Sequence, residues 1–151
     1  MLNHTPAGLD EIIDTFGSLD VPDFQARYIV PFELPYPLYF EGKKVLRARC
    51  HYLLCDNFIK AFSLLQERKL DRFVQNYGGI YARRPIRGQT SHASTHSWGI
   101  AIDLEPEKYP LGSKERFPPE VVDTFTECGF LYGGDFKGRK DPMHFQFATH
   151  Y

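Results

Sequence analysis

Three stretches of the chain carry apolar residues at the spacing of an amphipathic helix. Their apolar positions are Leu9, Ile12, Ile13 and Phe16; then Leu54, Phe58, Phe62 and Leu65; then Val121, Val122, Phe125 and Cys128. Gly17 follows the first stretch, while the third begins at Pro118-Pro119 and is followed by Gly129, the usual places for these residues at helix ends. The pattern predicts three helices, with the second at the centre of the core.

Alternation of apolar and polar residues predicts two strands. From Trp98 to Leu104, one face carries Ile100, Ile102 and Leu104 and the other Gly99, Ala101 and Asp103. From Met143 to Ala148, one face carries Phe145 and Phe147 and the other His144 and Gln146. Each strand would therefore send one face into the core and present its polar face to a site.

The remaining elements are predicted from shorter signals. The apolar runs 38–40 and 45–46, separated by Glu41-Gly42, predict a hairpin, and Ile80–Arg84 predicts a strand that ends at Pro85. Four prolines between Val21 and Pro37 predict an extended, irregular arm rather than regular structure. At 151 residues the chain fits one domain, 1–151, in which residues 1–37 form a helix and an arm that packs on the rest.

Composition narrows the classes of function. A formal net charge of -1 argues against binding nucleic acid through its phosphates, and no apolar run reaches the roughly 20 residues that cross a bilayer. Acidic residues at 10, 11 and 14 interrupt any signal-peptide core, so we expect synthesis in the cytoplasm. Cys50, Cys55 and Cys128 form no CxxC pair and are predicted to be buried thiols.

His96, Asp103 and His144 have the residue types of a catalytic zinc site, which commonly takes three nitrogen and oxygen ligands and leaves a fourth position for water. His96 precedes one predicted strand, and the other two residues lie on the polar faces of the two strands. Antiparallel pairing of these strands would allow all three side chains to converge. The sequence thus predicts a site for one Zn²⁺ ion.

Two further residues are predicted to act beside this metal. Asp141 stands three residues before His144, where its carboxylate can act as the general base. Arg84 is the candidate for gripping a substrate carboxylate, with Arg83 and Arg87 as alternatives. His92 lies in a stretch that Gly88 and its Ser/Thr-rich surroundings mark as a loop, so it is predicted to lie at the rim; His4, His51 and His150 receive no role.

Two motifs resemble peptidase family M15, the D-alanyl-D-alanine carboxypeptidases and L-alanyl-D-glutamate endopeptidases. Ser94-Thr95-His96-Ser97-Trp98-Gly99-Ile100-Ala101-Ile102-Asp103 is similar to the SxHxxGxAxD signature. Gly129–Phe136 followed by Asp141-Pro142-Met143-His144-Phe145 is similar to a GGDW-like segment leading into DxxHF, with Phe136 in place of the usual tryptophan. Leu104-Glu105-Pro106 departs from a family pattern in which asparagine often precedes the proline.

This resemblance, which runs from about Tyr77 to Phe147, implies a fold and a role. The fold is the small α+β domain shared with the hedgehog signalling domain, in which an antiparallel sheet with flanking helices carries the zinc site. The role is hydrolysis of the peptidoglycan stem peptide by a phage or prophage endolysin, which acts as a monomer on the cell wall after release through a holin or by lysis. Trp98, Tyr132 and Phe136 are expected in the core or the cleft wall.

Three functions remain to be compared. The first is a zinc metallopeptidase that cuts either between L-Ala and D-Glu or before a terminal D-Ala, and the sequence leaves the bond open. The second is a non-catalytic, zinc-containing module that binds the cell wall, against which the retained Asp141 argues. The third, a metal-dependent nuclease, lacks the basic surface that nucleic acid requires.

Overall fold

The computed structural model describes residues 1–88 and 92–151. Its α-helices are Gly8–Phe16 (α1), Phe24–Tyr28 (α2), Cys55–Glu67 (α3) and Pro119–Glu127 (α4). Its strands are Ile29–Phe40 (β1), Lys43–His51 (β2), Tyr77–Gly79 (β3), Ala101–Leu104 (β4), Leu131–Tyr132 (β5) and His144–Gln146 (β6). Helices and antiparallel sheets within one chain make the fold α+β, as the sequence predicts.

The three predicted helices are present as α1, α3 and α4. Helix α1 ends at Phe16 because Gly17 adopts a φ of 96°, and its N–H closes the last turn on the carbonyl of Ile13 at 2.8 Å. Helix α4 carries Pro119 in its first turn, where the missing N–H costs nothing. The apolar stripe of α3 is fully buried, so this helix lies against the core as predicted.

The segment 21–37 differs from the irregular arm that its prolines predict. It contains the short helix α2, and strand β1 begins at Ile29 and pairs antiparallel with β2. The pairing tolerates prolines because this sheet has only two strands, and Pro35 and Pro37 lie where the register shifts. Every second residue in the middle of β1 is buried: Phe32, Leu34, Tyr36 and Leu38.

A four-stranded antiparallel sheet, in the order β3-β4-β6-β5, carries the polar residues of interest. Strand β4 begins at Ala101 rather than Trp98 because Thr95–Trp98 form a 3₁₀ turn, which ends where Gly99 takes a φ of 71°. Strand β6 is correspondingly shorter than predicted. These short central strands are what bring the two sequence motifs together.

The strand predicted over Ile80–Arg84 is wrong. The strand in this region is β3, which ends at Gly79, and the following residues run beside the segment around His96 without a regular ladder. Ala82 donates its N–H to the carbonyl of His96 at 3.1 Å, and Ser94 donates to the carbonyl of Arg84 at 2.9 Å. Arg84 therefore lies in an irregular segment rather than at a strand end.

An aromatic core joins this sheet to the helices. Phe145 of β6 stacks on Phe125 of α4 at 4.3 Å and on Tyr132 of β5 at 4.7 Å between ring centroids. Phe58 of α3 packs on Phe130 at 4.9 Å and on Phe32 of β1 at 5.7 Å. The back of the sheet is thereby fixed, and its other face is left for the site.

Two of the three cysteines are buried as the sequence predicts. Cys50 and Cys128 are buried, Cys55 is half-buried, and all three are free thiols. Among residues 1–88 and 92–151, the structure contains no helix whose length and apolar character would let it cross a bilayer.

Candidate metal centre

Strand pairing places Asp103 and His144 directly opposite each other. They are register partners in the antiparallel pair β4–β6, and Oδ1 of Asp103 lies 3.1 Å from Nδ1 of His144. Both residues are buried, with 7% and 5% of their surface exposed. The predicted convergence of the two polar faces is therefore what the structure shows.

His96 reaches the same point from the 3₁₀ turn before β4. The turn is held by Ser94, whose hydroxyl accepts the N–H of His96 at 3.2 Å. Nδ1 of His96 lies 2.7 Å from the carbonyl oxygen of Ile80, which can only accept, so Nδ1 carries the proton. Nε2 is then a lone pair, 3.2 Å from Oδ2 of Asp103.

The ligand atoms of these three residues fit a metal ion. They all lie within 4.8 Å of one another, and the two closest pairs are 3.1 and 3.2 Å apart. Tetrahedral ligands at about 2.1 Å from an ion are separated by about 3.4 Å. Within the described part of the chain, no hydrogen bond reaches the buried Nε2 of His96, which is the atom that a metal would take.

The charge state of Asp103 suits a ligand. Burial disfavours its carboxylate, but the nearby rings of His144 and His96 outweigh burial and hold its pKa well below the usual range. Asp103 therefore stays ionised, with one oxygen toward each histidine. Two imidazole nitrogens and one carboxylate form a donor set that divalent transition metals accept, zinc among them.

Asp141 lies beside this centre without being one of the three converging residues. Its N–H is donated to the carbonyl of Gly133 at 3.0 Å, and its own carbonyl accepts the N–H of His144, also at 3.0 Å. Its Oδ2 is 3.9 Å from Nδ1 of His144, and its buried Oδ1 has no hydrogen-bond partner among the described residues. Burial raises the pKa of this carboxyl group.

A glycine makes the approach of this turn possible. A Cβ atom at Gly133 would lie 2.3 Å from the carbonyl oxygen of Asp141 and 3.1 Å from Cβ of His144. A side chain at this position would force the backbone to move, so glycine is needed for the segment after β5 to lie this close to the Asp141–His144 turn.

The centre opens into a cavity of about 710 Å³. Asp103, Asp141 and His144 line it, and the ring of Phe136 stands 6.0 Å from that of His144 as part of the wall. Four cationic residues also line the cavity: Arg84, Arg87, Lys137 and Arg139. Three carboxylates, Asp103, Asp135 and Asp141, lie in the same lining, so these side chains leave a formal excess of one positive charge.

The three arginines considered for substrate binding occupy different positions. Arg84 and Arg87 both line the cavity, and Arg139, which also lines it, donates to the carbonyl of Arg87 at 2.8 Å. Arg83 instead donates to the carbonyl of Leu19 at 2.8 Å and does not line the cavity. Arg84 and Arg87 therefore remain candidates for binding the substrate, and Arg83 does not.

Other residues from the sequence analysis are placed as follows. Trp98 and Tyr132 are buried in the core and Phe136 is in the cleft wall, as expected. His92 is exposed, and residues 89–91 of its predicted loop lie outside the described residues. Glu105, one of the departures from the family pattern, accepts the backbone N–H groups of residues 75 and 76 at 2.7 Å, a structural link at the end of β4.

Sequence reasoning missed the residues that surround the centre without joining it. Gln146 and Thr95 contact the far nitrogen of His144, and Lys137 and Arg139 add charge to the cleft. Gln146 was placed on the same strand face as His144 by alternation, which is the signal that could have identified it. Lys137 and Arg139 lie in a loop, where no periodic pattern predicts which way a side chain points.

Comparison with known families agrees with this site. Residues 87–147 match the family model described as D-alanyl-D-alanine carboxypeptidase, in peptidase family M15. The matched segment contains His96, Asp103, Asp141 and His144, and Arg84 lies just before it. No curated protein matches the chain significantly.

The match supports the resemblance to peptidase family M15 that the two motifs predict. The structure adds a candidate metal centre within the matched residues. Together they suggest a hydrolase of the peptidase class.

Proposed function

We propose that this chain is a zinc metallopeptidase that hydrolyses a peptide bond in the stem peptide of peptidoglycan. The observation that carries the proposal is the convergence of His96, Asp103 and His144, of which Asp103 and His144 line a cavity together with the carboxylate of Asp141. Zn²⁺ held by the three residues would supply a Lewis acid and lower the pKa of a water molecule. The bond is either L-Ala–D-Glu or the one before a terminal D-Ala.

Asp141 is the general base in this proposal. Its buried oxygen Oδ1 has no hydrogen-bond partner in the described chain, so it is available to take a proton from the attacking water and return it to the leaving amine. Its raised pKa makes it a better proton acceptor than an exposed carboxylate at neutral pH. Such a base contributes about 10²–10⁴-fold to the rate.

The cations of the cleft support an anionic peptide as substrate. Arg84, Arg87, Lys137 and Arg139 line a cavity that also holds the metal centre, so carboxylates of a bound peptide would find charge partners close to the scissile bond. Arg84 is proposed as the residue that grips a substrate carboxylate. Its guanidinium now donates only to the carbonyl of Pro85, at 3.3 Å, among the described residues, and that exposed bond is easily exchanged.

The wider biological setting is part of the proposal. The antiparallel sheet that carries the centre, with helices packed behind it, supports the fold shared with the hedgehog signalling domain. We infer a monomeric phage or prophage endolysin that is made in the cytoplasm and reaches the cell wall after release through a holin or by lysis. The family match supports the cell-wall substrate and leaves the route of release to experiment.

The test is digestion of purified peptidoglycan by the zinc-loaded protein, with fragments identified by mass spectrometry. Wild type is compared with Asp141→Asn, which keeps the size of the side chain and removes its charge, and with Asp123→Asn on the exposed side of α4. We expect wild type and Asp123→Asn to cut equally and Asp141→Asn to lose at least 100-fold. Fragment masses then name the bond. Intact muropeptides after treatment with wild type would overturn the proposal in favour of a wall-binding module.

A further inference from the structure

Gln146 is a buried amide directly behind the metal centre. It follows His144 by two residues on β6, so both side chains lie on the same face of the strand, and only 3% of its surface is exposed. Its Oε1 lies 2.9 Å from Nε2 of His144, the nitrogen that points away from Asp103. It is too far along the strand to be one of the three converging residues, yet it contacts one of them.

The orientation of this amide is fixed by two backbone carbonyl groups. Nε2 of Gln146 lies 3.1 Å from the carbonyl oxygen of Ala148 and 3.3 Å from the main-chain oxygen of Tyr151. Main-chain oxygens only accept hydrogen bonds, so the NH₂ group must face them. Oε1 must then face the other way, toward His144 and toward the hydroxyl of Thr95, which donates to it at 3.1 Å.

The amide orientation determines where the proton of His144 lies. A carbonyl-type oxygen in front of Nε2 requires that Nε2 carry a hydrogen and donate it. The other nitrogen, Nδ1, lies 3.1 Å from Oδ1 of Asp103, an ionised oxygen that also accepts hydrogen bonds. Nδ1 is therefore the atom that would give up its hydrogen and offer a lone pair when a metal ion lies between it and Asp103. The chain of contacts therefore runs from two backbone oxygens, through one amide, to the nitrogen that faces the centre.

We propose that Gln146 is a positioning residue that selects the Nε2–H tautomer of His144 and so directs Nδ1 of that ring to the metal. The inference rests on the metal centre of the proposed function but not on its substrate or reaction. Partners of this kind fix the ring and tautomer of a ligating histidine, and their loss typically weakens metal binding by about 10–100-fold.

The first test is zinc affinity, measured by competition with a chromophoric chelator. Gln146→Met keeps the length of the side chain and removes both the acceptor and the donors. The control is Asn57→Leu. Asn57 lies on helix α3 and is also a buried amide, and it donates to the main-chain oxygens of Leu2 and Cys128. Both substitutions should lower the melting temperature, but only Gln146→Met should weaken zinc binding, by about 10–100-fold.

The second test reads the tautomer directly in the wild-type protein, so it does not depend on whether a variant folds. Long-range ¹H–¹⁵N correlation spectra distinguish a protonated ring nitrogen from a bare one, and they can be recorded for the zinc-loaded protein. We expect His144 in that protein to carry its hydrogen on Nε2 and none on Nδ1. A hydrogen on Nδ1 of the zinc-loaded protein would overturn the proposal.

The outcomes separate this inference from the proposed function. Zinc affinity of Gln146→Met equal to that of wild type would overturn the positioning role, even if the protein cuts peptidoglycan. A wild type that binds zinc through the predicted tautomer but leaves peptidoglycan intact would overturn the peptidase and leave the role of Gln146 standing.

Discussion

Asp103 offers one carboxylate oxygen to each of two histidines: Oδ1 lies 3.1 Å from Nδ1 of His144 and Oδ2 lies 3.2 Å from Nε2 of His96. The first contact follows from strand register, since the two residues face each other across the β4–β6 pair. The second depends on a 3₁₀ turn that places His96 before the strand. Two independent pieces of local structure thus meet at one carboxylate.

Replacing Arg84 should separate the candidates for substrate binding. Arg84→Ala removes a guanidinium from the cleft, and loss of one charge-assisted contact to a carboxylate costs about 1.5–3 kcal/mol, or about 10–150-fold in kcat/KM. Zinc affinity should not change, because Arg84 contacts none of the three converging side chains through any hydrogen bond or ion pair of the described residues. Kinetics with a soluble stem-peptide substrate give both values.

Arg83→Ala is the matched control for this experiment. Arg83 is the adjacent residue, and its guanidinium is bonded to Leu19 away from the cavity. Its removal should leave kcat/KM within about twofold of wild type, a change too small to represent a lost ionic contact. Equal losses in both variants would contradict the assignment of Arg84 to the substrate.

Gly133→Ala should disturb the turn that holds Asp141 and His144. The added Cβ would lie 2.3 Å from the carbonyl oxygen of Asp141, so the backbone of one segment must move. Overpacking of this kind costs about 1–3 kcal/mol of stability. Denaturant unfolding should show that loss, and chelator competition should show weaker zinc binding, since His144 is displaced with the turn.

Gly138→Ala provides the comparison for Gly133→Ala. A Cβ at Gly138 meets no atom within 4 Å, and its φ is not in the left-handed region. Its unfolding free energy and zinc affinity should equal those of wild type. If Gly133→Ala were also as stable as wild type and bound zinc as tightly, the close approach would have no functional consequence and our account of this turn would be wrong.

His51 should make the stability of the fold depend on pH. Burial lowers the pKa of His51 to about 4 and outweighs the hydrogen bond from Nε2 to the carbonyl of Phe16, which raises the pKa. The neutral ring also accepts the N–H of Leu53 at Nδ1. The unfolded chain binds a proton near pH 6.5 and the folded chain does not. The unfolding free energy should therefore fall as the pH drops from about 6.5 to 4, by up to about 3 kcal/mol from this residue.

His51→Gln isolates this contribution from the carboxylates that titrate in the same range. The variant has no group that ionises at this position, so its unfolding free energy should change less between pH 6.5 and 4 than that of wild type. Urea titrations at several pH values measure the difference. Parallel pH profiles for the two proteins would show that the buried ring is not what the acid destabilises.

The convergence was predictable from the sequence because two of its three residues lie on strands. Alternation in the two motifs put Asp103 and His144 on the polar faces of strands, and antiparallel pairing then brought them together. Helices α1, α3 and α4 were predictable for the same reason, since their apolar periodicity is strong and their ends carry glycine or proline.

The parts that the sequence did not predict depend on tertiary contacts. Strand β1 was not predicted because it contains prolines, which usually interrupt a strand. It forms nevertheless, because it pairs with a single neighbour, β2. Ile80–Arg84 has strand-like composition, but its neighbour is an irregular turn that offers no ladder. The role of Gln146 depends on the main-chain oxygens of residues 148 and 151. The sequence of side chains does not indicate where these oxygens point.

The most direct test of the central claim is the zinc content of the protein after exhaustive dialysis, measured by elemental mass spectrometry for wild type and Asp103→Asn. The substitution keeps the size of the side chain and removes the charge that both histidines share. We predict one zinc ion per chain in wild type and far less than one in the variant, because a zinc site that loses one of three protein ligands holds the ion more weakly. A wild type without zinc, or a variant that retains it as tightly, would contradict the assignment of His96, Asp103 and His144 as a metal centre.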